Sequence, residues 1–173
     1  MTFRLATDRL HIRPWLESDR PALERMVGDE EMMRYITQGR TWSTEEVDEI
    51  LERQARHLKN HGICFGAVVL TATSEVIGLA GMQPHDDGQF ELGWWIWKEH
   101  WARGYATEAA TAFVRHARDE MGLKRLVAVI DPPNVASAKV AEKIGMRFEC
   151  IKSARDTIAK RVDKPIAYYG LAL

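Results

Sequence analysis

The residues of this chain best suited to chemistry by type and spacing are Arg103-Gly104-Tyr105-Ala106-Thr107, between a β-type run ending near Trp97 and a long Ala-rich helical pattern. A helix start leaves backbone N–H groups without intrahelical partners, and the positive end of the helix dipole points the same way, so phosphate is attracted there. Gly104 permits close backbone approach, Ala106 keeps the second contact small, and Arg103 adds positive charge at the rim. The expected chemistry is a pyrophosphate seat. Taken alone, Gly-x-Ala before a helix also fits a tight strand-to-helix turn that holds no ligand.

Other reactive residue types offer less. His57 and His61 lie four apart with Cys64 beyond, but Gly62 ends the helix and no fourth ligand is near in sequence, so no metal site is expected. Cys64 and Cys150 are the only cysteines, and neither is paired in sequence with a base that would make it a nucleophile. They read as reduced thiols of a cytoplasmic protein. Tryptophans at 94, 95, 97 and 101, with Trp15 and Trp42, suggest base stacking only if a basic surface accompanies them. The formal net charge is -1, so core filling and cleft walls are the better reading, and no nucleic acid partner is expected. Basic residues cluster over 152–164 but are interleaved with Asp156 and Asp163, which marks a solvated face. No stretch approaches the roughly 18 apolar residues of a membrane span, and no apolar leader follows Met1.

The elements that must position the helix start follow from periodicity. With 173 residues, 46% hydrophobic and 28% charged, one globular domain spanning 1–173 is expected. Leu5 to Arg13 reads as a first strand closed by Pro14, and Ser18 or Asp19 with Pro21 opens a short helix toward Val27. Ser43-Thr44-Glu45-Glu46 has capping-box spacing ahead of Val47, Ile50, Leu51, Ala55 and Leu58, a helix ending at His61-Gly62. A hairpin over 63–70 and 75–82 comes next, then a turn over 84–88. Residues 89–97 form a third β run with Glu91, Gly93, Trp95 and Trp97 on one face. A helix over 104–121 and a strand over 125–130 complete a strand–helix–strand unit; a helix over 134–144 and strands over 148–151 and 165–173 close the chain. The result is an α/β (α+β) mixed sheet with helices on its faces.

Taken in order, Glu91-Leu92-Gly93-Trp94-Trp95-Ile96, Trp101 to Ala109, Asn134-Val135-Ala136-Ser137 and Glu142 to Met146 resemble the GNAT superfamily of N-acetyltransferases. Thr7 to Pro14 adds similarity to its ribosomal-protein N-terminal acetyltransferase branch, the RimJ/RimL type. One position departs: where the family carries Gln or Arg at the head of its pyrophosphate motif, this chain has Trp101. The resemblance implies a mostly antiparallel sheet with a splayed central strand pair. It also implies acetyl-CoA as acyl donor, and a primary amine, either a protein N-terminus or a small amine, attacking it directly in a ternary complex. A monomer or homodimer is expected.

Such a reaction needs a neutral amine, aligned reactants, a donor for the oxyanion and a proton for the departing thiolate. By resemblance, Glu91 would accept the amine proton, though an ordinary strand carboxylate fits as well. Backbone groups of Ile96 and Trp97 would pair with the pantetheine as though it were a strand. Ser137 would lie near the sulfur, because Ala141 stands where many members carry an acidic tyrosine. Asn134 would bond the pantetheine amides, cap its helix, or both. Lys139 and Lys143 are candidates for the 3′-phosphate, and Trp42 and Trp95 for the acceptor cleft. A CoA-binding module without turnover is the alternative that Ala141 favours, and a general nucleotide site is a third.

Overall fold

Runs of alternating or continuous apolar residues build the sheet, and the computed structural model describes them within residues 3–37, 39–85, 88–153 and 165–173. The elements are β1 (Leu5–Ala6), β2 (Leu10–Arg13), α1 (Arg20–Val27), α2 (Glu30–Met33), α3 (Thr44–His61), β3 (Phe65–Leu70), β4 (Val76–Pro84) and β5 (Phe90–Ile96). They continue with α4 (Tyr105–Asp119), β6 (Arg125–Ile130), α5 (Val135–Lys143), β7 (Arg147–Ser153) and β8 (Pro165–Ala172). Most of the basic cluster over 152–164, and Asp86 and Asp87 of the expected turn, lie outside the described residues.

One eight-stranded sheet runs in the order β1-β2-β3-β4-β5-β6-β8-β7. Every neighbouring pair is antiparallel except β5 and β6. That parallel pair requires a crossover, which α4 supplies. Pairing between β5 and β6 is confined to Phe90 with Leu126 and Glu91 with Val127, so beyond Glu91 the two strands part. This is the splayed central pair that the resemblance implied.

Helices cover both faces. On one, Ala109, Ala110, Phe113 and Ala117 of α4 and Ala141 of α5 pack with Leu92, Trp94 and Ile96 of β5 and with Leu126 and Ala128 of β6. Small alanines bring α4 close to the sheet. On the other, α1, α2 and α3 bury Leu23, Met26, Met33 and Val47 against Phe65, Leu79 and Trp97. Ser43 caps α3 as its spacing foretold, accepting from Glu46 N–H while the Glu46 carboxylate reaches back to Ser43 N–H at 3.0 Å. At the other end Gly62 takes the left-handed conformation, φ 71°.

Two expectations are corrected. Residues 5–13 form a hairpin instead of one strand, because Leu5 pairs with Ile12 across a turn in which Thr7 N–H donates to Leu10 C=O. The four-residue helix α2, capped by Asp29, was not anticipated; it is too short to show a helical period.

Candidate active site

The parting of β5 from β6 opens a cavity of about 640 Å³ that runs from Trp15, Tyr35 and Trp42 on one side to Gly104, Asn134 and Lys143 on the other. Two helix starts border it, and they differ. At α5 the Asn134 side-chain oxygen accepts from Ser137 N–H at 3.1 Å and its carbonyl accepts from Ala138 N–H at 3.1 Å, so that end is already capped. At α4 no side chain caps the helix, and the first intrahelical bond runs from Glu108 N–H to Gly104 C=O at 3.0 Å. The N–H groups of Tyr105, Ala106 and Thr107 therefore lack intrahelical partners at the cavity wall. Gly104 has φ 83° and Ala102 φ 59°, and such left-handed residues turn successive N–H groups toward one concavity. Of the two helix starts, that of α4 carries no side-chain cap.

The loop is held from outside by residues that periodicity does not single out. Arg9 donates from Nε to Glu108 Oε2 at 2.7 Å and from Nη1 to Arg103 C=O at 3.0 Å, and its guanidinium lies 4.5 Å from the Tyr105 ring centre. Thr7 Oγ1 donates to the other Glu108 oxygen at 2.6 Å. Burial pushes the Glu108 carboxyl up, but the bonds from Thr7 and Arg9 outweigh it and hold the group below the usual carboxylate range. The carboxylate in the first turn of α4 is thus paired and kept off the cavity wall. Arg103 itself is exposed, contributes its carbonyl to this clamp, and does not line the cavity.

Strand β5 supplies the floor. Trp97 N–H donates to Ile77 C=O at 2.7 Å, which makes those opposed residues a hydrogen-bonded pair. Alternation along an antiparallel ladder then turns the amides of Ile96 and Trp94 away from β4, into the gap that β6 has left. The amides of Ile96 and Trp94 thus both face the gap. Trp97 does not: its N–H and C=O are both engaged, its side chain is packed among Leu23, Met26 and Leu79, and it lies outside the cavity wall. Trp101, the departure from the family motif, donates from its indole N–H to Ile96 C=O at 2.6 Å, bracing the strand end.

Glu91 is 6% exposed and accepts from Gln83 Nε2 at 3.3 Å, its directly opposed neighbour on β4. Its position in the last residue pair before the strands part puts it at the apex of the wedge. Gln83 was legible only as a polar residue ending an apolar run. Ser137, Lys139 and Lys143 line the α5 side; Trp42 and Trp95 line the opposite side in an edge-to-face contact at 6.0 Å. Cys64 is buried and the thiol is pushed up to about 12, which removes it as a nucleophile. Among the described residues no cluster of three His, Cys, Asp or Glu could hold a metal ion, and no helix is long and apolar enough to cross a membrane.

Residues 9–147 match the family model of the acetyltransferase (GNAT) domain. This chain belongs to the GNAT acetyltransferase family. It is 31% identical over 170 residues to YkkB of Bacillus subtilis (strain 168), covering 96% of this chain and 94% of that protein. With the N-acetyltransferase YnaD of the same organism it shares 30% over 146 residues, 84% of this chain and 83% of the relative. The crystal structure of a GNAT-family acetyltransferase from Bacillus anthracis superposes with a TM-score of 0.81 at 27% identity, covering 98% of both chains. RimL, the ribosomal L7/L12 alpha-N-protein acetyltransferase solved with coenzyme A, shares the fold at TM-score 0.79 and 16% identity, over 99% of this chain and 98% of its own. The GNAT chain described here is an acyl-CoA-dependent acetyltransferase.

Proposed function

We propose that this GNAT chain transfers an acetyl group from acetyl-CoA to a primary amine, a protein N-terminus or a small amine, by direct attack with both substrates bound together. One observation carries the reading: a single cavity joins the uncapped start of α4, the gap-facing amides of Trp94 and Ile96, and the buried Glu91. The pyrophosphate would rest on the N–H groups of Tyr105, Ala106 and Thr107, with Gly104 beneath it. The pantetheine would lie in the wedge as a surrogate strand, with Asn134 beside it and Lys139 or Lys143 toward the 3′-phosphate.

Glu91 accepts the amine proton in this scheme. It stands three positions before Trp94 and five before Ile96, about 10 and 17 Å along an extended strand at roughly 3.3 Å per residue. An amine poised near Ile96 is therefore beyond direct contact, and a chain of waters in the cavity carries the proton from amine to carboxylate. The oxyanion falls to an amide of this strand and the thiolate proton to Ser137 or water. We place the chain nearest the ribosomal-protein N-terminal acetyltransferase branch, supported by its Thr7–Pro14 segment and the fold shared with RimL. One domain over 1–173 and a cytoplasmic site of action are supported by the single sheet and two free cysteines.

The test is CoA release from acetyl-CoA across a panel of amines. Glu91→Gln is expected to lower kcat by about a hundredfold or more while CoA still binds. Undiminished turnover in that variant removes Glu91 as the base. A second reading, a CoA-binding module without turnover, draws on Ala141, which is fully buried where an acidic tyrosine would stand. It prevails if CoA binds and no amine is acetylated.

A further inference from the structure

The half of the cavity opposite α4 and α5 has a distinct chemistry. Four aromatic residues, Trp15, Tyr35, Trp42 and Trp95, line it, each only partly buried although their neighbours Leu23, Met32 and Ile36 are buried. The Trp15 indole N–H is committed to Phe65 C=O at 3.0 Å, so Trp15 offers this space apolar ring surface and no donor. Trp42 and Trp95 meet edge to face, which fixes two walls at an angle.

Charge is equally one-sided. Among the described residues lining this half, the charged groups are Glu91 and Glu31; Glu31 is engaged by Lys98 at 3.4 Å, and Glu91 feels the charge of Arg53, which stands on α3 outside the cavity wall. The lysines of the cavity, Lys139 and Lys143, stand on α5 at the other end. Aromatic faces and a carboxylate attract an ammonium group, whereas a carboxylate brought here would meet two like charges and no cation on the wall of this half among the described residues. Ring walls also offer little to the repeated amides of a polypeptide.

Resting on the acetyltransferase reading of the site, we infer that the acceptor is a compact primary amine with an apolar, ring-sized body and no anionic group, an arylalkylamine in chemical class. The ring lies against the angled walls of Trp42 and Trp95, and the amine is delivered as ammonium on the Glu91 side, where water passes its proton to Glu91 before attack.

The experiment compares kcat/KM at fixed acetyl-CoA for 2-phenylethylamine, ethanolamine, phenylalanine, spermidine and an octapeptide with a free N-terminus. The arylalkylamine is expected to lead each of the others by about tenfold or more, about 1.4 kcal/mol per tenfold. Trp42→Ala, and Trp95→Leu as a second variant, are expected to cut its lead over ethanolamine by about tenfold. Phenylalanine, spermidine or the octapeptide as best substrate overturns the inference, as does a lead unchanged in both variants. If nothing turns over, 2-phenylethylamine is titrated into CoA-saturated protein and followed by tryptophan fluorescence: saturable binding upholds the acceptor class and its absence overturns it. Failure of the underlying reading is recognised separately, because acetyl-CoA would then leave the melting temperature unchanged.

Discussion

Replacing Arg9 by alanine is expected to weaken acetyl-CoA binding from a position that touches the helix start only from behind. The side chain is about half exposed, so its ion pair with Glu108 counts near the top of the surface range, about 1 kcal/mol. Its bond to Arg103 C=O adds about 1 kcal/mol and its contact with the Tyr105 ring about 0.5 kcal/mol. Losing roughly 2.5 kcal/mol lowers the melting temperature of a domain this size by about 5–10 °C. If about 1 kcal/mol of it reflects ordering of the Ala102–Gly104 turn, the KM for acetyl-CoA rises about fivefold. The KM for the amine stays as it was, which distinguishes a clamp on one substrate from general loosening. A double-mutant cycle with Glu108→Gln is the decisive assay, since partners in one network couple by at least about 0.5 kcal/mol. Strict additivity, or an unchanged acetyl-CoA KM in Arg9→Ala, refutes the reasoning. The same pair carries a pH signature. Glu108 sits below its ordinary range in the folded chain, so its contribution is present above the unfolded value of about 4.3 and is lost as pH falls through the folded value. Urea midpoints of the parent protein are thus expected to fall more steeply with acidification than those of Glu108→Gln.

Gly78→Ala is expected to cost several kcal/mol or abolish folding, because a Cβ there would lie 2.1 Å from the Trp95 carbonyl oxygen; a urea midpoint within about 0.5 M of the parent contradicts the close approach of β4 and β5. Native protein is expected to expose one thiol to an aromatic disulfide reagent at pH 8, the half-buried Cys150, and the second only on unfolding. Since folded Cys64 keeps a proton that the unfolded chain gives up above about pH 8.5, stability declines as pH rises past that point, and Cys64→Ala flattens the decline.

What could be read in advance divides along physical lines. Signals carried by neighbours in sequence were legible: the Ser43 and Glu46 box, the left-handed stop at Gly62, and the uncapped turn at Gly104. The hairpin at residues 5–13 was concealed by treating it as one strand, although the buried positions Leu10 and Ile12 are even and Leu5 is odd, a change of parity that a single strand does not serve. The resemblance implied Trp97 beside Ile96. Consecutive amides of a strand point to opposite edges, so only one of the two can face the gap. The clamp was beyond reach, because Arg9 and Glu108 are 99 positions apart and nothing local to either tells of the other. Gln83 became meaningful only through its register with Glu91.

The two residue pairs that join β5 to β6 make the centre of this sheet a weak seam. Five strands hang on one side of it and three on the other, and besides those pairs the halves are tied by the Arg125–Gln89 and Tyr168–His85 contacts and by α4 with the side chains packed beneath it. A seam fastened at one end can widen or narrow at the other with little rearrangement of either half. The angle of the wedge is then a soft coordinate of the molecule, and amide exchange in β5 and β6 is where a bound strand-like ligand would leave its largest imprint.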